Sequence, residues 1–239
     1  YLFSGMNKLD LFVASESGRV IAEGEPDTLV SESNLIDYNQ LSYGLELKWN
    51  NLDRVRIPRN GWSLNGRFAF GSKQIIENPA WNPEIYETIS SPSVVGNFKF
   101  KLARFQRISE KSVFLLDARA ESILDDNIFL GQVIRIGGIH SLRGFDDMSI
   151  LATSYGLLNL EYRFLPGDDS FLSVFANAAY TELNLNNSFS SDLPVGFGLG
   201  YTFTVKAGVF SLNYAFGSAK DLPLDFSRGK IHFGFNNTF

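Results

Sequence analysis

Two stretches of sequence separated by a polar gap carry the pattern that decides the fold: GGIHSLRGF at residues 137–145 and GLLNLEYRF at residues 156–164. In the second stretch, bulky apolar residues alternate with polar ones that include Glu161, and this two-residue period is that of a β-strand. In the first stretch, a glycine pair leads to Arg143, which stands between a leucine and a glycine. Opposite charges on a loop and on the strand after it predict that the loop folds back against the sheet.

The composition limits the classes of function that fit this chain. It has 239 residues, a net charge of −5, no cysteine, and 22 Phe and 9 Tyr against 2 Met. Aromatic residues favour strands, and membrane barrels concentrate them at the membrane interfaces. Since the chain has no run of about 20 mostly apolar residues, we expect no transmembrane helix. The acidic balance argues against a nucleic-acid partner, and the lack of cysteine excludes disulfides and cysteine-bound metals.

Alternation of apolar and polar residues recurs along almost the whole chain. Residues 41–49 carry Leu, Tyr, Leu, Leu and Trp at every second position, with Ser, Gly, Glu and Lys between them. The same period recurs at residues 62–70, 98–102, 114–121, 158–164, 197–205, 210–216 and 231–239, with shorter amphipathic segments at 9–13 and 171–180. This pattern predicts an all-β fold with about ten antiparallel strands of roughly 9–14 residues each.

The apolar face of these strands fits either of two arrangements. In a soluble sandwich or barrel it would form the interior, whereas in a membrane barrel it would face lipid while polar residues line the lumen. The strands exceed the usual soluble length of about 5–6 residues, and several uniformly bulky faces would overfill a small core. Charges in mid-strand, such as Glu46, Lys48, Asp117 and Arg119, suit a wide and wet lumen. We therefore expect a transmembrane antiparallel β-barrel.

The connections between the predicted strands alternate in length. Short ones lie at residues 52–60, 108–111, 165–169 and 206–208, and long polar ones at 15–37, 73–92, 125–154, 183–194 and 218–229. Short turns on one side of the membrane and long loops on the other are typical of bacterial outer-membrane barrels. We expect one barrel domain over residues 1–239, with no periplasmic domain within it.

Three features in order along the chain resemble the C-terminal barrel part of the BamA/TamA family of outer-membrane-protein assembly factors. The segment WNNLD at residues 49–53, with Pro58 and Gly61, resembles a turn between two mid-barrel strands of that family. The element LRGF at residues 142–145 resembles its (V/I)RG(F/Y) motif, which lies at the tip of a long loop that enters the lumen. The last residues resemble the closing-strand signal read by the assembly machinery: Phe233, Phe235, Asn236, Thr238 and Phe239.

A lumenal arginine needs a carboxylate nearby, because its desolvation is otherwise uncompensated. Alternation places Glu161 on the lumenal face, and the resemblance implies that this residue is the acidic partner of Arg143. Gly144 would let the loop backbone approach the barrel wall, and Phe145 would pack beside it. We expect these residues to hold the loop inside the barrel as a latch; a solvated arginine in a surface hairpin loop is the alternative.

One position departs from the pattern of the family. Its members usually carry F-x-D-x-G on the next strand, where this chain reads FANAA at residues 175–179. Asn177 therefore replaces a second acidic partner, and we expect it to accept a hydrogen bond from Arg143 without adding charge. The predicted loop latch comprises Arg143, Gly144, Phe145, Glu161 and Asn177.

Catalytic chemistry is not indicated by the sequence. Neither of the two histidines, His140 and His232, belongs to a G-x-S-x-G turn or to a pattern of metal ligands. The acidic pairs at residues 125–126 and 146–147 are better explained as solvated loop residues than as calcium ligands. We expect no enzymatic activity, no cofactor and no metal.

The resemblance also implies a function in the bacterial outer membrane. Because the family barrel has about sixteen strands, we expect this chain to be the C-terminal portion of a longer protein with further strands and periplasmic polypeptide-binding domains. In the family, the first and last strands pair poorly, and this lateral seam templates an incoming strand. We expect a factor that folds or inserts outer-membrane proteins, with membrane lipid, unfolded outer-membrane proteins and accessory lipoproteins as partners. The alternatives are a protein-secretion pore of the two-partner type, the barrel anchor of a patatin-like lipase and a passive porin.

Overall fold

The computed structural model describes residues 8–18, 36–77, 86, 89–185 and 188–236, and its main element is one antiparallel sheet. Ten strands follow one another across this sheet in chain order: β1 (Lys8–Gly18), β2 (Asp37–Asn50), β3 (Gly61–Ile76), β4 (Ser93–Ser109), β5 (Ser112–Leu124), β8 (Ser154–Phe164), β9 (Ser170–Leu185), β11 (Val195–Val205), β12 (Gly208–Ser218) and β13 (Lys230–Asn236). The all-β antiparallel fold predicted from the alternation is confirmed.

Three short strands lie outside this path. β6 (Ile134–Ile136) and β7 (Ile150–Ala152) form a hairpin within the long loop that joins β5 to β8. β10 (Ser188–Asp192) pairs with the end of β9, beyond the part of β9 that pairs with β11. The long loop leaves its neighbouring strands undisturbed, because β5 pairs directly with β8 from Ser112 to Ser122.

The alternation of short and long connections is as predicted. Residues 51–60, 110–111, 165–169 and 206–207 form the short turns, and all four lie at the same end of the sheet. Among the ten strands of the main path, the range of lengths is wider than expected, from 7 residues in β13 to 17 in β4. β3 also continues to Ile76, so Lys73, which the sequence placed at the start of a loop, belongs to a strand.

Within the described residues the sheet is open, because β1 and β13 are its edges and no pairing joins them. Thr238 and Phe239, two members of the predicted closing-strand signal, lie outside the described residues. No helix in the described part of the chain has the length and apolar character needed to cross a membrane.

The two faces of the sheet have the inverted polarity that the sequence predicts for a barrel in lipid. On β8, Leu158 and Leu160 are 45% and 38% exposed, whereas Asn159 and Glu161 between them are 7% and 4% exposed. The same contrast recurs along β9, where outward Leu172 and Val174 are exposed and the inward residues are buried. On β8 and β9, polar side chains therefore lie on a covered inner face, and bulky apolar ones form the outer surface.

The inner face is apolar at the short-turn end, so the wide and wet lumen expected from the sequence does not extend to this end. Ile57, in the turn between β2 and β3, is buried against inward residues of β4, β5, β9 and the turn after β8. We call this cluster the apolar floor: Ile57, Ala103, Phe105, Val113, Leu115, Leu165 and Phe171. Arg59 of the same turn is buried and forms an ion pair with Asp168 at 2.5 Å. The turn thus covers the inner face at this end.

Candidate functional site

The loop between β5 and β8 lies against the inner face of the sheet. Its β6–β7 hairpin and its tip bury an apolar cluster against β8 and β9: Ile136, Leu142, Phe145, Leu157 and Ala179. Leu142, immediately before Arg143, is fully buried, and Phe145 is 6% exposed. Burial of these side chains holds the tip in place, so that the charged group between them meets the wall. Phe145 therefore packs against the wall beside Arg143.

Arg143 contacts three side chains of the wall. Its Nη1 donates to Oε2 of Glu161 at 2.8 Å, and its Nη2 donates to Oδ1 of Asn159 at 2.5 Å. Its Cζ lies 3.4 Å from the ring centroid of Phe175, which gives a cation–π contact. Burial lowers the pKa of Arg143, which Glu161 opposes, and a guanidinium stays charged even so. This geometry rules out a solvated surface arginine.

Glu161 accepts hydrogen bonds from two arginines. Its Oε1 accepts a hydrogen bond from Nε of Arg163 at 2.7 Å, while Oε2 accepts from Arg143. Arg163 in turn lies over the ring of Phe171, 4.4 Å from its centroid, at the edge of the apolar floor. The carboxylate thereby links the loop to the short-turn end of the inner face.

The predicted hydrogen bond between Arg143 and Asn177 is absent, which corrects the role expected for this residue. Asn177 is buried, and within the described residues neither its amide nitrogen nor its amide oxygen has a hydrogen-bond partner. Asn159 supplies the acceptor instead. It lies two residues before Glu161 on the same face of β8, and β-pairing places it directly opposite Asn177. The guanidinium therefore contacts Asn159 and not Asn177.

Gly144 lies in closest contact with the wall. Its φ is +100°, and a Cβ on it would come 2.4 Å from the carbonyl oxygen of Phe216 in β12. Gly217 and Gly196 face the loop in the same way, since a Cβ at either would meet the carbonyl oxygen of Gly144 or of Arg143 at 2.5 Å or less. Three glycines therefore let the loop backbone touch β11 and β12 without an intervening side chain.

Gly144→Ala is expected to displace the loop tip, because the positive φ alone costs about 1–2 kcal/mol and the new methyl group meets backbone. The measurement is protease cleavage of the loop in the full-length protein in bilayers, where the variant is cleaved faster. Gly131→Ala is the matched control, since its Cβ would meet nothing within 4 Å. Equal cleavage rates for the two variants would contradict the close contact described here.

The last described strand, β13, is tied to the loop by its inward residues. Nε2 of His232 accepts a hydrogen bond from the backbone N–H of Gly144 at 3.1 Å, and Nζ of Lys230 lies 2.8 Å from Asp146. Gly234 leaves room for Ile139, which a Cβ would approach to 2.7 Å. The outward members of the closing-strand signal, Phe233 and Phe235, are exposed and pack against Phe210 of β12, while Asn236 pairs with Val209.

A second polar anchor, which the sequence did not indicate, holds the start of the loop. The ammonium group of Lys73 is 0% exposed and contacts the carboxylate of Asp125, the carbonyl oxygen of Asn127 and, at 3.3 Å, Oε1 of Gln132. It also lies 4.5 Å from the ring centroid of Phe129. We call these groups the lysine cage. Because Asp125 follows β5 directly, the cage fixes the root of the loop while Arg143 fixes its tip.

The described residues hold no group of three or more His, Asp or Glu side chains placed to bind a metal ion. His140 contributes its backbone carbonyl oxygen, which accepts a hydrogen bond from Arg119. The arrangement holds a loop and a strand edge in position.

The sequence of the chain also matches the model of a known protein family. The model of the Omp85 superfamily domain matches residues 6–239, almost the whole chain. No curated protein matches the sequence significantly.

Proposed function

The chain belongs to the Omp85 superfamily of outer-membrane barrels for protein insertion or secretion, and from that premise we propose that it inserts proteins into the bacterial outer membrane. Within the superfamily, its LRGF element and the ion pair between Arg143 and Glu161 favour the BamA/TamA type. The superfamily is non-enzymatic, and the proposal accordingly includes no covalent step and no cofactor. Residues 1–239 act as one barrel domain in this proposal.

One observation supports insertion over passage through the lumen: the inner face is covered along β8 and β9 and again at the short-turn end. The loop tip and its arginine cover the part along β8 and β9, and the apolar floor covers the short-turn end. A passive porin needs a continuous aqueous path along this face, and a secretion pore needs a path wide enough for a polypeptide. A lateral route avoids both obstructions.

The edge of β13 is the surface that such a route would use. It is the edge of the sheet within the described residues, and unpaired N–H and C=O groups on an edge can pair with an incoming strand. β13 also pairs with β12 over only 7 residues, whereas β11 and β12 pair over 11. We propose that unfolded outer-membrane proteins bind here, that the outward apolar face contacts membrane lipid, and that accessory lipoproteins assist.

Photo-crosslinking tests this proposal directly. A benzoylphenylalanine at Phe235 on β13 is expected to capture an unfolded outer-membrane protein that is folding into liposomes containing the full-length protein. Phe114 on β5 is the matched control, since it is also an outward and exposed phenylalanine but lies in mid-sheet. A cross-link from a probe at inward Asn213, with none from Phe235, would favour the secretion pore and overturn the proposal.

A further inference from the structure

The outward face of the sheet carries one cation among apolar neighbours. Along β4 the outward positions are Phe98, Phe100 and Leu102, and Arg104 comes next. Within the described parts of the ten sheet strands, Arg104 is the one Lys or Arg residue that lies at an outward position. A guanidinium on a lipid-facing wall is costly unless an anion or the membrane surface compensates it.

The guanidinium of Arg104 is held in one orientation. Its Nη2 donates to Oε1 of Gln106 at 2.5 Å, and its Cζ lies 5.0 Å from the ring of Trp62, the residue opposite it on β3. Within the described part of the chain, no carboxylate lies within 4 Å of Arg104, and its Nε and Nη1 donate no hydrogen bond. Oriented donors without an acceptor, and a charge without a counter-charge, are the features of an incomplete anion site.

Aromatic residues place this site at the level of the lipid headgroups. Trp62 and Trp49 lie on the outward face next to the turn at residues 51–60, and Tyr162 lies near the same end of β8. Trp and Tyr prefer this depth because their rings are amphipathic. Short turns mark the periplasmic side of such barrels, so the site would face the periplasmic leaflet.

From these contacts we propose that Arg104, Trp62 and Gln106 form a binding site for the phosphate group of an anionic glycerophospholipid in the periplasmic leaflet. The phosphate accepts hydrogen bonds from Nε and Nη1 of Arg104. The acyl chains lie along Leu102 and Phe114, the apolar residues next to the site. A lipid fits this site better than free phosphate, because its acyl chains contact the adjacent apolar residues while its phosphate contacts the guanidinium.

Native mass spectrometry of the detergent-solubilised full-length protein tests the site. We expect wild-type protein to bind its first phosphatidylglycerol more tightly than R104Q by about fivefold, the attraction of one cation to an anionic surface. R107Q is the matched control, because it removes the same charge from the same strand on the opposite face, where Arg107 lies 3.7 Å from Asp53. The control should keep the wild-type affinity, and excess inorganic phosphate should not displace the lipid.

Two results would overturn the site. One is equal affinity of R104Q and wild type for phosphatidylglycerol, and the other is an equal loss in R104Q and R107Q, which would reflect net charge alone. The location of the bound lipid is tested by fluorescence. The emission of Trp62 is obtained by subtracting the spectrum of W62F from that of the wild-type protein. Brominated phosphatidylglycerol should quench this emission more strongly than brominated phosphatidylcholine, and R104Q should abolish the difference. Displacement by free phosphate would identify a soluble anion as the ligand instead.

Discussion

Glu161→Gln destabilises the folded protein by about 3–5 kcal/mol, the expected cost of removing one partner from a buried ion pair. Arg143 and Arg163 both contact this carboxylate, so glutamine would leave the buried guanidinium of Arg143 and the largely covered one of Arg163 without a counter-charge. Glutamine keeps the shape and one acceptor oxygen, and the loss therefore reports on charge. The measurement is the free energy of unfolding in urea for the full-length protein in bilayers, together with heat-modifiable gel mobility.

Glu46→Gln is the matched control for this prediction. Glu46 is also an inward carboxylate on a strand, but its partner Lys48, at 2.8 Å, has a half-exposed side chain. An ion pair in contact with water contributes about 1 kcal/mol or less. If both variants lose the same stability, the carboxylate of Glu161 has no special function in holding the loop.

Lys73→Met is expected to cost a similar 3–5 kcal/mol, because it leaves Asp125 buried without its cation. Lys99→Met is its control: this lysine also points inward, from the neighbouring strand, and its ion pair with Glu121 at 3.1 Å is solvent-exposed. Removing both charges in Lys73→Met/Asp125→Leu should recover part of the loss, since an apolar pair needs no counter-charge. A double variant that loses the sum of the single effects would show that the two residues act independently.

Alternation determined the two faces of the sheet from sequence, because a period of two residues assigns every side chain of a strand once one face is known. It placed Glu161 on the inner face, where the structure pairs it with Arg143. It did not give the order of contacts around the arginine. Asn159 and Phe175 share the inner face with Glu161, and the register that sets Phe175 opposite Glu161 would have indicated the cation–π contact. Register depends on which strands are neighbours, which the sequence alone did not settle here.

The lysine cage and the apolar floor lay beyond sequence reasoning for a different reason. Lys73 stands near a polar loop in sequence, and a lysine in such a place is usually solvated. Its burial depends on Asp125, 52 residues later, together with Asn127 and Gln132. Ile57 likewise belongs to a turn, and the sequence gives no reason to expect it to be buried. In the structure it packs against the inward residues of β4 and β5. Both features arise from contacts between segments distant in sequence, which no local pattern encodes.

The contacts of the loop tip imply an order of folding. Residues 143–146 touch β8, β9, β11, β12 and β13, and each of these strands follows the loop in the chain. β2 to β5, in contrast, are joined by nearest-neighbour hairpins that close without the loop tip. Contacts of long sequence separation form slowly, because the entropy of closing the chain is lost before they are gained. In pulsed hydrogen exchange, we therefore expect protection to arise early in β2–β5, and later, as one cooperative unit, in the loop tip and in β8, β9, β11, β12 and β13.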